Sequence, residues 1–287
     1  MSDNHIDDET GVETTGHVWD GIRELNNPLP RWWLWTFYGC IAWGIGYTIA
    51  YPAWPMISGA TKGVLEFSTR GEVAKDIFAH EAKNADLVAA LNTADLMTLP
   101  PSDDLHRYAV ARGGSVFTAQ CSQCHGQGAA GTEGFPNLLD NDWLWGGDQE
   151  AIAYSIRHGI RNETDLDARY SEMPAYGDIL ENDEITSVVE YVFSLSATDY
   201  DAQLAATGAG VFMDNCAACH GDEAKGDRNI GAPNLADAIW LYGGDRETLT
   251  ETVTNARYGV MPAWGPRLSE EDVRAVAVYV HSLGGGE

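Results

Sequence analysis

Four of the five cysteines fall in two groups of one form, Cys121-Ser-Gln-Cys124-His125 and Cys216-Ala-Ala-Cys219-His220. On a helix, Cys-x-x-Cys puts both thiols on one face, a turn apart. Two thioether bonds to the vinyl groups of a haem need that spacing. The histidine that follows can then reach the iron from the same side, and the motif is a known attachment signal for c-type haem. Zinc sites also use Cys-x-x-Cys, but two copies with shared downstream landmarks argue against zinc. A thioredoxin-like redox pair would sit in alternating strands and helices, and no such pattern is present. The spacing therefore predicts two covalent haem c groups, attached through Cys121, Cys124, Cys216 and Cys219, with His125 and His220 on the irons.

Each iron needs a second axial ligand. Met173 and Met261 lie 48 and 41 residues after their histidines, both in Met-Pro-Ala-aromatic-Gly. A lone methionine is usually a core filler, yet here the repeat fixes it in a loop punctuated by Pro and Gly. A His/Met pair raises the potential of haem iron and closes its sixth position, which suits electron transfer. Pro136 and Pro233 mark turns whose carbonyls could hold the second ring nitrogen of each histidine, or are simply rigid turns. Trp143, Trp145, Trp240, Tyr176 and Trp264 are candidate pocket walls. Arg157 and Arg257 could pair with haem propionates or be solvated. His158, set against Tyr258 in the second copy, has no repeat counterpart and is taken as non-ligating.

The elements that must position these residues occur twice. Pro136-Asn-Leu matches Pro233-Asn-Leu, and Trp143-Leu-Trp-Gly-Gly matches Trp240-Leu-Tyr-Gly-Gly, both 97 residues apart. The two methionines are 88 apart, so the first copy carries nine extra residues around 161–168. Each copy closes with an apolar helical stripe, Ile185/Val188/Val189/Val192 and Val273/Val276/Ala277/Val280, spaced i, i+3, i+4, i+7. Ser269 with Asp272 resembles a helix start.

The 287 residues carry a net charge of −26 and a pI near 4.4. Such a surface repels nucleic acid and anionic lipid and would attract a basic protein. Residues 32–51 form an uncharged run of 20, long enough to cross a bilayer as a helix. Trp32, Trp33, Trp35, Tyr47, Tyr51 and Trp54 flank it like aromatic belts. Cys40 lies within it and has no assigned role. The expected layout is mainly α. It begins with a mobile cytoplasmic segment at 1–31, a transmembrane helix at 32–54 and a periplasmic stalk at 55–101. Two tandem haem domains follow, at 102–198 and 199–287.

The haem domains resemble class I cytochrome c folds. One anchor followed by two of them resembles subunit III of the cbb3-type cytochrome c oxidases, the diheme CcoP/FixP family. The likeness covers roughly residues 28–283, Tyr51-Pro-Ala-Trp-Pro-Met56 included. The resemblance implies a non-catalytic electron-transfer subunit in the bacterial inner membrane, single-pass, with its haems in the periplasm. It implies a basic cytochrome c as donor, and a second membrane cytochrome c subunit and the oxidase catalytic subunit as partners. Two other readings are an anchored diheme carrier of another respiratory or photosynthetic complex, and a diheme peroxidase. The methionine loops count against the peroxidase.

Overall fold

In a computed structural model, which describes residues 5–286, the acidic leader forms a hairpin where a mobile segment was expected. Strands β1 (Thr14–Trp19) and β2 (Ile22–Leu25) pair antiparallel. Between them Asp20 and Gly21 both adopt positive φ, 50° and 86°. Two such residues match the twist of a two-residue hairpin, and Asp-Gly is the local signal for it.

Helix α1 (Arg31–Ala50) follows and stops where Tyr51 is driven into extended backbone by Pro52. None of its residues is buried, and Trp32, Trp35 and Trp43 are each at least 70% exposed. By mean hydropathy, no helix among the described residues is long and apolar enough to cross a membrane. In α1 the polar atoms of Trp and Tyr and the glycines lower that mean. A two-residue ladder, β3 (Pro55–Met56) with β4 (Gly59–Ala60), leads to α2 (Thr69–Thr93). The chain divides into two compact units, 1–83 and 84–287.

The second unit is built from helices with identifiable starts. Helix α3 (Asp104–Val116) is capped by Asp103 and continues through a π turn, Phe117–Cys121, into the short α4 (Ser122–His125). Asp148 caps α5 (Gln149–His158), and a Glu181/Glu184 capping box opens α6 (Asn182–Ser196). Asp201 caps α7 (Ala202–Asn215), which leads into α8 (Ala217–His220). Asp245 caps α9 (Arg246–Asn255), and Ser269 accepts from Asp272 N at α10 (Glu270–Ser282), as its spacing suggested.

These helices pack in two halves, and the halves exchange their closing segments. Helix α10 lies on α3 and α5, whereas α6 lies on α7 and α9. One core joins Phe117, Ile152 and Ile156 to Val273, Val276 and Val280; the other joins Ile185, Val188 and Val192 to Phe212 and Leu249. Both approaches are close. A Cβ on Gly113 would sit 2.1 Å from the Ala275 carbonyl, and one on Gly208 would sit 1.9 Å from that of Ser187. Arg112 Nε reaches Asp272 Oδ1 at 2.7 Å in the first half. In the second, Arg246 grips the buried Glu190 through two bonds of 2.8 and 2.9 Å. The stretches 102–198 and 199–287 are thus repeats of sequence but not separately packed bodies. The short link 197–201 gives the reason, since it suits α6 and α7 packing as an antiparallel helical hairpin.

Candidate haem-binding sites

The two Cys-x-x-Cys-His groups occupy equivalent places. Each ends on a glycine with positive φ, Gly126 at 78° and Gly221 at 76°, which turns the chain back. The returning backbone donates to the histidine carbonyl, from Gly131 N to His125 O at 2.9 Å and from Gly226 N to His220 O at 2.8 Å. Neither returning glycine has room for a side chain, because a Cβ would lie 2.3 Å from Phe135 O or Ala232 O. The next turn brings the proline carbonyl to the imidazole. His125 Nδ1 donates to Pro136 O at 3.1 Å, and His220 Nδ1 donates to Pro233 O at 3.0 Å. This fixes the tautomer and leaves each Nε2 as a lone-pair donor.

Burial pushes both imidazoles below the ordinary histidine range, against the pull of the proline carbonyls. A metal ligand must be neutral, so this shift favours ligation. Burial, then the neighbouring Cys124 or Cys219, pushes the Cys121 and Cys216 thiols up to about 11.

The methionine loops reach these sites crosswise. Met261 exchanges two backbone hydrogen bonds with Ile160, each 3.0 Å, and packs on the same core as Cys121, Leu138 and Trp143. Trp264 N and Gly265 N donate to Ile156 O and Arg157 O of α5. The loop of Met173 goes the other way. Tyr176 Oη donates to Asn215 O at 2.6 Å, one residue before Cys216, and Tyr176 is close enough to Cys216 and Cys219 for their charge to raise its pKa further after burial has done so. The spacing of Met173 and Met261 leaves open which methionine serves which histidine, and the packing separates the two loops crosswise. Met261 lies in the half of His125, and Met173 in the half of His220.

The expected arginine pair also changes. Helices α5 and α9 are offset by 97 residues, so Arg157 and His158 correspond to Thr254 and Asn255, not to Arg257 and Tyr258. Arg157 is bound to Glu270 at 2.5 Å. The true counterparts are Arg169 and Arg257, each four residues before its methionine. Arg169 lies over the Trp145 ring at 5.4 Å, and Arg257 over that of Tyr242, the residue equivalent to Trp145, at 5.1 Å. Counting back from the methionines would have found Arg169 in the sequence.

Trp145 Nε1 and Arg169 Nε are buried donors with no partner among the described residues. Orphaned donors are costly, and side by side they suit an anionic carboxylate such as a haem propionate. The residues present thus fit the cofactor. Of the other expected walls, Tyr176 is 8% exposed, and Trp143, Trp264 and Trp240 pack against the two cores.

The halves also touch. Gly134 N donates to Leu241 O at 2.8 Å, and Gly231 lies so close to the Trp145 ring that a Cβ there would be 2.2 Å from it. Beside this contact a cleft of about 460 Å³ holds Asp142, Arg228 and Asp237. Burial, then Asp237 and Asp140, pushes the Asp142 carboxyl up to about 6.

A helical fold with two such attachment sites defines a c-type cytochrome, whose cofactor is haem c. Sequence comparison gives the family. The model for the N-terminal domain of cytochrome oxidase-cbb3, FixP, matches residues 11–58. The model for cytochrome c oxidase, cbb3-type, subunit III, matches residues 109–192 and 203–280. The chain is 59% identical over 276 residues to the cbb3-type cytochrome c oxidase subunit CcoP of Cereibacter sphaeroides, covering 96% of this chain and 95% of that protein. It is 52% identical to subunit FixP of Sinorhizobium medicae (99% and 98% covered) and 51% to subunit CcoP of Rhodobacter capsulatus (96% and 97%). The chain belongs to the subunit III family of the cbb3-type cytochrome c oxidases.

Proposed function

We propose that this chain is the electron-relay subunit of a cbb3-type oxidase, taking electrons from a donor cytochrome c and passing them toward the catalytic subunit. It holds two haem c groups, one on Cys121 and Cys124 and one on Cys216 and Cys219. His125 with Met261, and His220 with Met173, would hold the two irons. The carrying observation is the mirrored geometry: each imidazole is tied through Nδ1 to a proline carbonyl, and each site receives the methionine loop of the other repeat.

When bound, haem c supplies a one-electron ferric/ferrous couple. The chain supplies the rest. A neutral imidazole Nε2 and a methionine thioether would be the protein ligands of each iron, a pairing that favours a relay over oxygen chemistry and a non-catalytic subunit. Trp145 and Arg169 would receive a propionate, and the Gly134–Leu241 and Trp145–Gly231 contacts keep the relay within one unit.

The setting follows from chemistry. Helix α1 carries no charge after Arg31, none of its residues is buried, and its large apolar side chains face outward; a patch of that kind needs a lipid or protein cover. We take it as a single-pass anchor in the bacterial inner membrane, with the haem-bearing unit in the periplasm, where c-type haems are attached. The second membrane cytochrome c subunit and the catalytic subunit are the partners. The charge of −26 favours a basic donor cytochrome c.

The test uses full-length protein. Cys216→Ala with Cys219→Ala should leave one covalent haem, counted from its pyridine spectrum. Adding Met261→Ala should then remove methionine ligation from that haem, whereas adding Met173→Ala should not. The reverse pattern would refute the exchange, and an unchanged haem count would refute the attachment.

A further inference from the structure

The nine residues by which the first repeat exceeds the second supply none of the cysteines, histidines or methionines of the haem sites. They run from the end of α5 to Arg169 and carry a cluster of metal-ligating type. His158, Asp165 and Asp167 each offer one donor atom, and these atoms lie within 4.8 Å of one another. The second repeat has Asn255 at the position of His158 and lacks the inserted aspartates altogether.

We propose that His158, Asp165 and Asp167 form a binding site for a divalent cation of the zinc class, which pins the inserted loop to α5. The donor set selects the cation. One imidazole nitrogen with two carboxylates suits zinc and its first-row neighbours, whereas calcium and magnesium prefer oxygen ligands alone. Two carboxylates with a neutral imidazole also carry the −2 charge that a divalent ion cancels. The nearby Arg157 is held by Glu270 at 2.5 Å, so its charge is offset.

The loop is already shaped for the site. His158 ends α5 and leans on the Tyr154 ring, 4.5 Å between centroids. Tyr154 Oη donates to the Asp167 carbonyl at 2.8 Å, and Asp167 N donates to Asp165 Oδ1 at 2.9 Å. This turns Asp165 Oδ2 toward His158 Nδ1, 3.1 Å away. The loop is thus held through the main-chain N–H and carbonyl of Asp167, and by Arg161 N donating to Arg169 O at 2.7 Å, while the ligand atoms converge. A cleft of about 510 Å³, lined in part by Asp165, Gly265 and Leu268, opens beside them and has room for the waters that would complete a three-ligand coordination sphere.

Such a cation would act on the neighbouring haem site. Ile160, two residues beyond His158, holds Met261 by two backbone bonds, and Arg169 N at the other end of the loop donates to Gly159 O at 3.1 Å. Fixing the loop fixes the backbone that holds Met261. This consequence rests on the axial pairing proposed above; the cation site does not.

The experiment uses chelator-stripped, untagged full-length protein titrated with zinc against a chromophoric competitor. One zinc per chain should bind in the wild type. Asp165→Asn and Asp167→Asn should each weaken it about tenfold or more, since even indirect support of a metal ligand is worth ~10–100-fold. Asp167→Asn is the cleaner variant, because the loop bonds at that residue use its main chain. Unchanged haem content, from the pyridine spectrum, shows that the variants have folded. Equal zinc uptake by wild type and both variants, or none by wild type, overturns the site. If zinc binds but leaves the potential of the haem on Cys121 and Cys124 unmoved, the coupling to Met261 is overturned.

Discussion

Gly113→Ala tests the exchanged packing directly. The added methyl would sit 2.1 Å from Ala275 O and 2.7 Å from Tyr279 Cβ, whereas carbon contacts settle at about 3.5–4.0 Å. The obstacle is the backbone of α10, which no rotamer change can clear, so α3 and α10 must part by more than about 1 Å. Overpacking costs about 1–3 kcal/mol, and a backbone obstacle belongs at the top of that range. Alanine returns about 1 kcal/mol through helix propensity, which leaves about 2 kcal/mol of destabilisation. For a unit of this size that is a fall of about 4–8 °C in melting temperature.

The assay is thermal unfolding of the haem-loaded protein, with the absorbance of each haem followed separately. Because α10 follows the Met261 loop, the disturbance should appear at the haem on Cys121 and Cys124. Gly208→Ala, with its methyl 1.9 Å from Ser187 O, should disturb the haem on Cys216 and Cys219 instead. Gly210, also on α7, has nothing within 4 Å, so Gly210→Ala should be neutral or gain up to about 1 kcal/mol. If Gly113→Ala melts like the wild type, or perturbs the second haem, the reasoning fails.

Three further outcomes follow from the same contacts. Asp142, raised to about 6, keeps in the folded chain a proton that the unfolded chain releases near 3.8, so its contribution to stability is lost as pH rises from about 4 to 6. Asp142→Asn should therefore raise the melting temperature at pH 7 and leave it unchanged below pH 4. Glu190→Ala strips Arg246 of its carboxylate partner, leaving it the Asp199 carbonyl, and Asp201 N of its acceptor. Arg246 is about half exposed and can hydrate, so the expected loss in denaturant unfolding is about 2 kcal/mol, less than the 3–5 of a fully buried pair. Association with a basic cytochrome c, followed by stopped flow, should slow steeply as salt rises; a flat response would remove docking by charge.

Much of the site was legible from residue type and order. Cys-x-x-Cys-His, the Pro-Asn-Leu turns and the Met-Pro loops are local chemistry, and the repeat marks them twice. The valine stripes of α6 and α10 were legible for the same reason, because burial of one face imposes a 3.6-residue period. The leader hairpin was missed because a strand pair of this length shows little alternation, and its signal is the Asp20-Gly21 turn. Arg169 was missed because its match to Arg257 appears only when residues are counted back from the methionines across the insertion.

By itself, then, the sequence determined the attachment cysteines, the histidines, the candidate methionines and the faces of the helices, since each depends on neighbours a few residues away. Which methionine loop packs in the half of which histidine is a different kind of fact. The two closing helices have similar stripes, and either could cover either first helix as far as pattern goes. Only the tertiary structure decided it, through the short link between α6 and α7, the side-chain-free approaches at Gly113 and Gly208, and the Arg112–Asp272 and Glu190–Arg246 pairs, all of which depend on residues far apart in the chain.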